Sequence, residues 1–400
     1  MACALVSAQT NPKRKPDARA IHESAIVIDT HADTPGRFLD EGFDLATDTP
    51  VTAGHFDFGK ANKGRLGAEF FAIWVNPGIK TGHAKRALDM IDSVYEQARK
   101  HPDEMVMAYS ADDIVKARKG PHKRLAVVLG LEGGHAIENN IRILRDFYRL
   151  GVRYMTLTWA NTNEWADSSG DIEDTNVSHH NGLTHFGKDI VAEMNRMGMM
   201  VDISHVSDKT FWDVMEITKA PVIASHSSAR ALNSSLRNMT DEMLRAVAKN
   251  GGVVMVNFYS GFVDENYRQA YNAQKPEREK AVEAYKDHLR AQGVDPDKAG
   301  FLDIEKEWSQ KIPRPPFKSL IDQIDHIAKV AGVEHVGLGS DFDGITSLPQ
   351  GIDSVADLPK ITEALVERGY SEQECRKILG ENLLRVFRAA EDFSRPMKKP

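Results

Sequence analysis

Six side chains able to bind a metal or carry a proton each stand just after a short apolar run. His31 and Asp33 follow Ala25-Ile26-Val27-Ile28, and Glu132 follows Ala126-Val127-Val128-Leu129. His205 follows Met200-Val201-Asp202-Ile203, His226 follows Val222-Ile223-Ala224, and Asp341 follows Val336-Gly337-Leu338. Runs of this kind read as strands, so the pattern predicts strand tips converging on one metal centre.

His31-x-Asp33 is the strongest local motif, because a two-residue spacing on an extended segment points an imidazole and a carboxylate to the same side. Glu132 opens Glu132-Gly133-Gly134-His135; its two oxygens can bridge two cations, and a carboxylate ending an apolar strand needs a cation or a salt-bridge partner to offset its desolvation. His205 and His226, neutral imidazoles at two further tips, suit Zn²⁺ or a similar borderline metal. Asp341, in Gly339-Ser340-Asp341-Phe342-Asp343-Gly344, has the position of a base that takes a proton from water and delivers it to a leaving amine. Asp343 competes for that role but reads better as a turn residue. His135 reads as a supporting or packing residue, and His179-His180 as surface residues in a polar loop.

The elements that must hold these residues alternate along the chain. Strands are expected at Ala25–Asp29, Ala68–Val75, Leu125–Leu131, Tyr154–Thr158, Met199–Ser204, Val222–Ser225, Gly252–Phe258 and His335–Gly339. Most are continuously apolar, as parallel strands covered by helices are. Helical stretches fall between and after them at His83–Lys100, Ile137–Leu150, Thr184–Met197, Asp208–Ile217, Asp241–Lys249, Leu320–Ala331, Val355–Glu367 and Ser371–Ala390. Thr184 and Thr240 have the look of helix caps. This α/β alternation predicts a (β/α)8 TIM barrel, with a doubly wound open sheet as the alternative. The interval 260–316, between the seventh and eighth expected strands, is charged and poor in apolar residues, with an exposed helix over Pro276–Ala291. Loops that follow strands form the active-site mouth of a barrel, so this insertion is either a lid or a surface excursion.

Composition narrows the function. The chain has 400 residues, 41% of them hydrophobic and 27% charged, and a net charge of -7 without long like-charge blocks. That excludes a nucleic-acid surface and favours a small polar substrate. With only two cysteines, Cys3 and Cys375, there is no disulfide framework and no thiolate metal site. No run is long enough to span a membrane. Residues 1–19 are expected to be a disordered arm or a truncated leader, since Met1–Gln9 is a short apolar run with a small-x-small site at Val6-Ser7-Ala8. A leader implies periplasmic or otherwise exported protein, an arm a cytoplasmic one. Residues 20–395 are expected to form a single metallohydrolase domain.

Five segments resemble the renal (membrane) dipeptidase family of zinc peptidases, family M19 of the amidohydrolase superfamily. They are Ile28-Asp29-Thr30-His31-Ala32-Asp33, Gly130-Leu131-Glu132-Gly133-Gly134-His135, Val201-Asp202-Ile203-Ser204-His205-Val206-Ser207-Asp208, Ser225-His226-Ser227-Ser228-Ala229-Arg230 and Gly339-Ser340-Asp341-Phe342-Asp343-Gly344. The resemblance runs from about Ile21 to Glu391. It implies a distorted TIM barrel with two zinc ions, one on His31 and Asp33, the other on His205 and His226, both bridged by Glu132. It gives the proton to Asp341 and the substrate's C-terminal carboxylate to Arg237, whose fork suits a carboxylate. The implied activity is hydrolysis of dipeptides, in a homodimer.

One position departs from the family pattern. In Tyr154-Met155-Thr156-Leu157-Thr158-Trp159-Ala160-Asn161, Trp159 stands where the family commonly has a histidine that polarises the scissile carbonyl. An indole cannot act as an imidazolium donor, so zinc, Asn161 or another group substitutes, or the substrate differs. The alternatives to a dipeptidase are therefore an N-acyl amino acid deacylase, a lactam or lactone hydrolase, or a barrel that binds metal or peptide without turnover. The family's disulfide cysteines and lipid-anchor signal have no counterparts, since the tail Met397-Lys398-Lys399-Pro400 is polar; a bacterial, soluble version is the expectation.

Overall fold

The computed structural model describes residues 16–119, 122–294 and 302–395. Among these, nine strands make one parallel sheet: β1 (Val27–Ala32), β2 (Leu66–Trp74), β3 (Met105–Met107), β4 (Leu125–Glu132), β5 (Val152–Thr156), β6 (Met200–Asp202), β7 (Ile223–Ser227), β8 (Val253–Val256) and β9 (Val336–Leu338). Eight of them follow one another in the order β1-β2-β4-β5-β6-β7-β8-β9. The ends meet just beyond β9, where Ala32 bridges Phe342, the Asp341 amide donates to the His31 carbonyl at 3.0 Å, and the Asp33 amide donates to Phe342 at 2.8 Å. The result is the nearly closed (β/α)8 barrel that the alternation predicts.

β3 is an addition to the eight expected strands. It pairs with Leu125–Val127 of β4, while β5 pairs with the same strand from Leu129 to Glu132. A three-residue Met-Val-Met segment thus fills the part of the edge that the short β5 leaves open, and so short a run carries no readable period. β1 also lies further along than Ala25–Asp29, because the chain is still helical through Ser24. That helix begins at Ala18 with the Asp17 side chain capping it, inside the expected arm; residues 1–15, with the leader-like run, and 396–400, with the polar tail, lie outside the described residues.

The inward-facing residues explain why the barrel is solid below the site. Ile28, Phe70, Val128, Tyr154, Met200, Ile223 and Met255 form one buried cluster with Leu383 and Phe387 of the last helix, Asn382–Ser394, which plugs the bottom. Each such side chain contributes about 1.5–3 kcal/mol on burial. The outward faces of the strands pack on the helices, whose starts are set by side-chain caps: Thr184 accepts from Gly187, Ser207 from Thr210 and Thr240 from Met243. Gly198 and Gly251 close two of these helices at φ 82° and 81°, where a side chain would strain the backbone.

The long insertion lies between β8 and β9 and contains helices Ser260–Val263, Glu265–Ala273, Lys275–Ala291 and Leu302–Ser309. Its ends rest on the loop after β9: the Ser260 amide donates to the Ser347 carbonyl at 3.0 Å and Ser309 Oγ to the Thr346 carbonyl at 3.0 Å. Lys306 reaches the Thr52 carbonyl in the loop after β1 at 2.8 Å. These are loops on the C-terminal side of the strands, the side that carries the candidate residues.

Candidate metal centre

Glu132 is the hub of the site. Its Oε1 lies 3.0 Å from Nε2 of His205 and 3.3 Å from Nε2 of His226, while its Oε2 lies 3.4 Å from Nε2 of His31. Asp33 Oδ2 is 3.6 Å from the same His31 nitrogen. His31, Asp33 and Asp341 form a second group whose donor atoms all lie within 4.8 Å of one another. The barrel therefore brings together all six residues singled out in the sequence. Three are not beyond their strands but within the last residues of them: His31 in β1, Glu132 in β4 and His226 in β7.

The surroundings orient these ligands toward a cation. The His226 ring meets Ser225 Oγ through Nδ1 at 2.7 Å, and that hydroxyl donates to Asp202 at 2.6 Å, so the hydrogen sits on Nδ1 and the lone pair on Nε2. Outer partners of this kind fix the tautomer of metal-binding histidines. Nε2 of His31 is buried and without a hydrogen-bond partner. The Nε2 atoms of His205 and His226 are 2.9 Å apart. An orphaned ring nitrogen and two more in close approach around a bidentate carboxylate fit a divalent metal with nitrogen and oxygen preference.

Two of the six adopt a left-handed backbone, His205 at φ 66° and Asp341 at φ 68°. Such conformations are uncommon outside glycine and persist where surrounding contacts enforce them. Asn257, just beyond β8, donates from Nδ2 to Asp341 Oδ2 at 2.8 Å and accepts the Tyr259 amide at 2.6 Å. Gly344 makes room for the pair of carboxylates, since a Cβ there would stand 2.0 Å from Asp33 Oδ2 and 2.7 Å from Asp341 Oδ1.

The electrostatics follow from burial without a cation. Burial pushes Asp33 up to about 7. Burial also opposes ionisation of Glu132, but the neighbouring imidazoles, His31 foremost, outweigh it and hold that carboxyl well below its usual range. Burial lowers His226 well below its ordinary value, helped by His31 and Arg237. The site is thus a buried anionic carboxylate surrounded by imidazoles, the charge arrangement that a cation stabilises.

Arg237 reaches the edge of this centre. Nη1 donates to Ser227 Oγ at 2.6 Å and Nη2 to the His226 carbonyl at 2.6 Å, both neutral partners, while the buried Nε has none. Burial pulls its guanidinium down to about 10 against the nearby carboxylates of Asp341, Asp202 and Glu132. Trp159 packs edge-on against Trp74 at 5.0 Å and lies 6.4 Å from the His205 ring. Asn161 lines a neighbouring cavity of about 430 Å³ together with His83, His135 and Glu138.

The remaining polar residues have structural partners. His135 meets the Val75 carbonyl through Nε2 at 2.8 Å and packs edge-on against His83. His180 is exposed and meets the Asn163 carbonyl at 2.9 Å. Asp343, at φ 64°, binds Thr34 and the His55 amide, which is a turn role. Sequence reading did not single out Tyr154, Asp202, Ser225, Asn257 or Gly344 as site residues. Each lies inside a recognised strand or motif, and only its neighbour in space reveals its task.

The sequence profile of the "Membrane dipeptidase (Peptidase family M19)" family matches residues 15–400. Dipeptidase 3 of Mus musculus is 31% identical over 386 residues, covering 96% of this chain and 68% of the mouse protein. Among solved structures, the probable dipeptidase PvdM from Pseudomonas aeruginosa is 24% identical with a TM-score of 0.79, covering 94% of this chain and 98% of that one. A metallopeptidase from Rhodobacter sphaeroides, liganded with a phosphinate mimic of the dipeptide L-Ala-D-Ala, is 24% identical with a TM-score of 0.71, covering 92% and 100%. The relatives are mammalian and bacterial alike.

Proposed function

The chain belongs to the membrane dipeptidase family, peptidase family M19, a family of metallopeptidases, and from that premise we propose a binuclear zinc dipeptidase that requires a free C-terminal carboxylate. The observation that carries the two-metal reading is the split of Glu132, one oxygen toward His205 and His226 and the other toward His31. His31 and Asp33 would hold one ion, His205 and His226 the other. When bound, zinc supplies Lewis-acid polarisation of a carbonyl and a water of lowered pKa.

The chain's own residues do the rest. Asp341, held by Asn257, takes the proton of the attacking water and returns it to the departing nitrogen. Arg237 binds the substrate's carboxylate: a half-buried guanidinium whose hydrogen-bond partners are neutral and whose buried Nε is free lacks a contacting anion, and a partly desolvated charge without one is costly. Trp159 and Trp74 form an aromatic wall against which the substrate lies, in place of the family's imidazole. The described helices of the insertion between β8 and β9 would serve as a lid over the mouth. The relative that binds a mimic of L-Ala-D-Ala supports a dipeptide as the substrate class.

Turnover of L,L- and L,D-dipeptides against N-acyl amino acids, with zinc supplied and then chelated, tests the reading. Chelator-sensitive cleavage of dipeptides, lost when the C-terminus is amidated, is expected. Faster cleavage of N-acyl amino acids or lactones would assign the same centre to another amidohydrolase reaction.

A further inference from the structure

We infer that Ser168 and Ser169, in the loop after β5, are positioning residues for His205 and set the affinity of the second ion's subsite. The inference rests on the two-ion reading above. His205 is the one proposed histidine ligand outside a strand, and its backbone is left-handed. A non-glycine residue is strained there, so something beside it must hold the conformation.

The His205 carbonyl shows what does. It accepts the Ser169 amide at 2.8 Å, Ser169 Oγ at 3.0 Å and Ser168 Oγ at 3.2 Å. Three donors on one carbonyl exceed what a turn needs. The same segment is pinned on both sides: Ser168 bridges Val206 in antiparallel fashion, and the Asp167 carbonyl accepts the Ser207 amide at 2.9 Å and Thr210 Oγ1 at 2.9 Å. Ser168 is completely buried and Ser169 nearly so, so neither hydroxyl is there for solvent.

Ser168 has a second partner, the carbonyl of Trp159, and its oxygen accepts the Gly170 amide at 3.0 Å. One hydroxyl hydrogen is therefore shared between the carbonyl of a metal-binding residue and that of the aromatic wall. Removing the Ser169 hydroxyl takes one of three donors from the His205 carbonyl, and removing both hydroxyls leaves it only the Ser169 amide, which loosens the hold on the left-handed backbone and lets Nε2 move away from Glu132. His31, in β1, and Asp33, just after it, are not connected to this loop by any of these bonds.

Zinc titration of the apo full-length protein against a chromogenic chelator, read with metal analysis, tests this without recourse to activity. Ser169→Ala and S168A/S169A are expected to weaken one of two sites by about tenfold or more and leave the other unchanged, while Ser169→Thr, which keeps the hydroxyl, restores it. Equal affinities in wild type and Ser169→Ala, or equal weakening of both sites, would overturn the inference; the single Ser169→Ala and Ser169→Thr variants suffice if the double variant does not fold. If wild type takes up one ion only, the two-ion reading fails, and the clamp is judged on that ion: it stands if His205→Ala and Ser169→Ala both weaken it and falls otherwise.

Discussion

The Tyr154 hydroxyl lies 2.8 Å from Nδ1 of His31 and donates onward to the Thr30 carbonyl at 3.1 Å. A hydroxyl has one hydrogen, so the His31 contact must be donated by the imidazole. The hydrogen on Nδ1 leaves the lone pair on Nε2, facing Glu132 and Asp33. A phenol thus performs the orienting role that a carboxylate or backbone carbonyl commonly has. Tyr154 reaches this position across the barrel because Gly130 opposite has no side chain; a Cβ there would stand 2.0 Å from the phenol ring.

Tyr154→Phe keeps the stack on Phe70, whose ring centroid is 6.0 Å away, and removes only the hydroxyl. The His31 subsite is expected to lose about 10–100-fold in zinc affinity, with the fold retained. Competition with a chelator, alongside far-UV circular dichroism, measures both. An unchanged affinity would mean that the His31 tautomer is set by something other than the phenol.

Asp341 and Asn257 separate proton transfer from metal binding. Asp341→Asn keeps a similar shape but removes the base, so kcat is expected to fall by about 10²–10⁴ with two ions still bound. Asn257→Ala leaves the carboxylate but not its 2.8 Å hydrogen bond, and a loss of roughly tenfold in kcat is expected, since a hydrogen bond to a charged group is worth about 1.5–3 kcal/mol. Steady-state kinetics with metal analysis of the same samples decides; near-normal turnover in Asp341→Asn would remove it from the proton path.

The sequence carried the barrel and the six central residues because both lie in short-range patterns. Strands buried on both faces read as apolar runs, and His31, Glu132 and His226 end them. Where the pattern is not local, it failed. Asn257 and Asp341 are 84 residues apart, and nothing in either segment announces the bond. Tyr154 reads as an ordinary strand residue, since its partner His31 lies across the barrel. β3 is too short to show a period, and its pairing depends on how far β5 extends along β4.

His22 makes the stability depend on pH. It is buried, with Nε2 on the Gly64 carbonyl at 2.9 Å and Nδ1 on Thr362 Oγ1 at 2.7 Å, joining the first helix to the C-terminal part of the chain. Burial lowers its pKa, with the Gly64 hydrogen bond opposing. The unfolded chain then binds more protons than the folded one below an ordinary histidine value of about 6.5, so this contribution is full above that value and is lost as pH falls. His22→Gln cannot titrate, and its thermal midpoint is expected to fall less steeply than that of wild type between pH 7.5 and 5. Parallel slopes would show that His22 does not set this dependence.

Gly344 tests whether the two carboxylates near His31 must stay where they are. A methyl group at this position would overlap Asp33 Oδ2 and crowd Asp341 Oδ1, and the turn cannot back away freely, because the Gly344 amide is tied to the Asp341 carbonyl at 3.2 Å and Asp343 is held by Thr34 and His55. The side chains must move instead. Gly344→Ala is therefore expected to weaken the His31–Asp33 subsite and to reduce kcat through Asp341, two losses from one methyl group, while the His205–His226 subsite keeps its ion. Zinc stoichiometry separates this from general destabilisation: one ion retained in a folded protein follows from local crowding, whereas loss of both together with a lowered thermal midpoint would place the role of Gly344 in the fold.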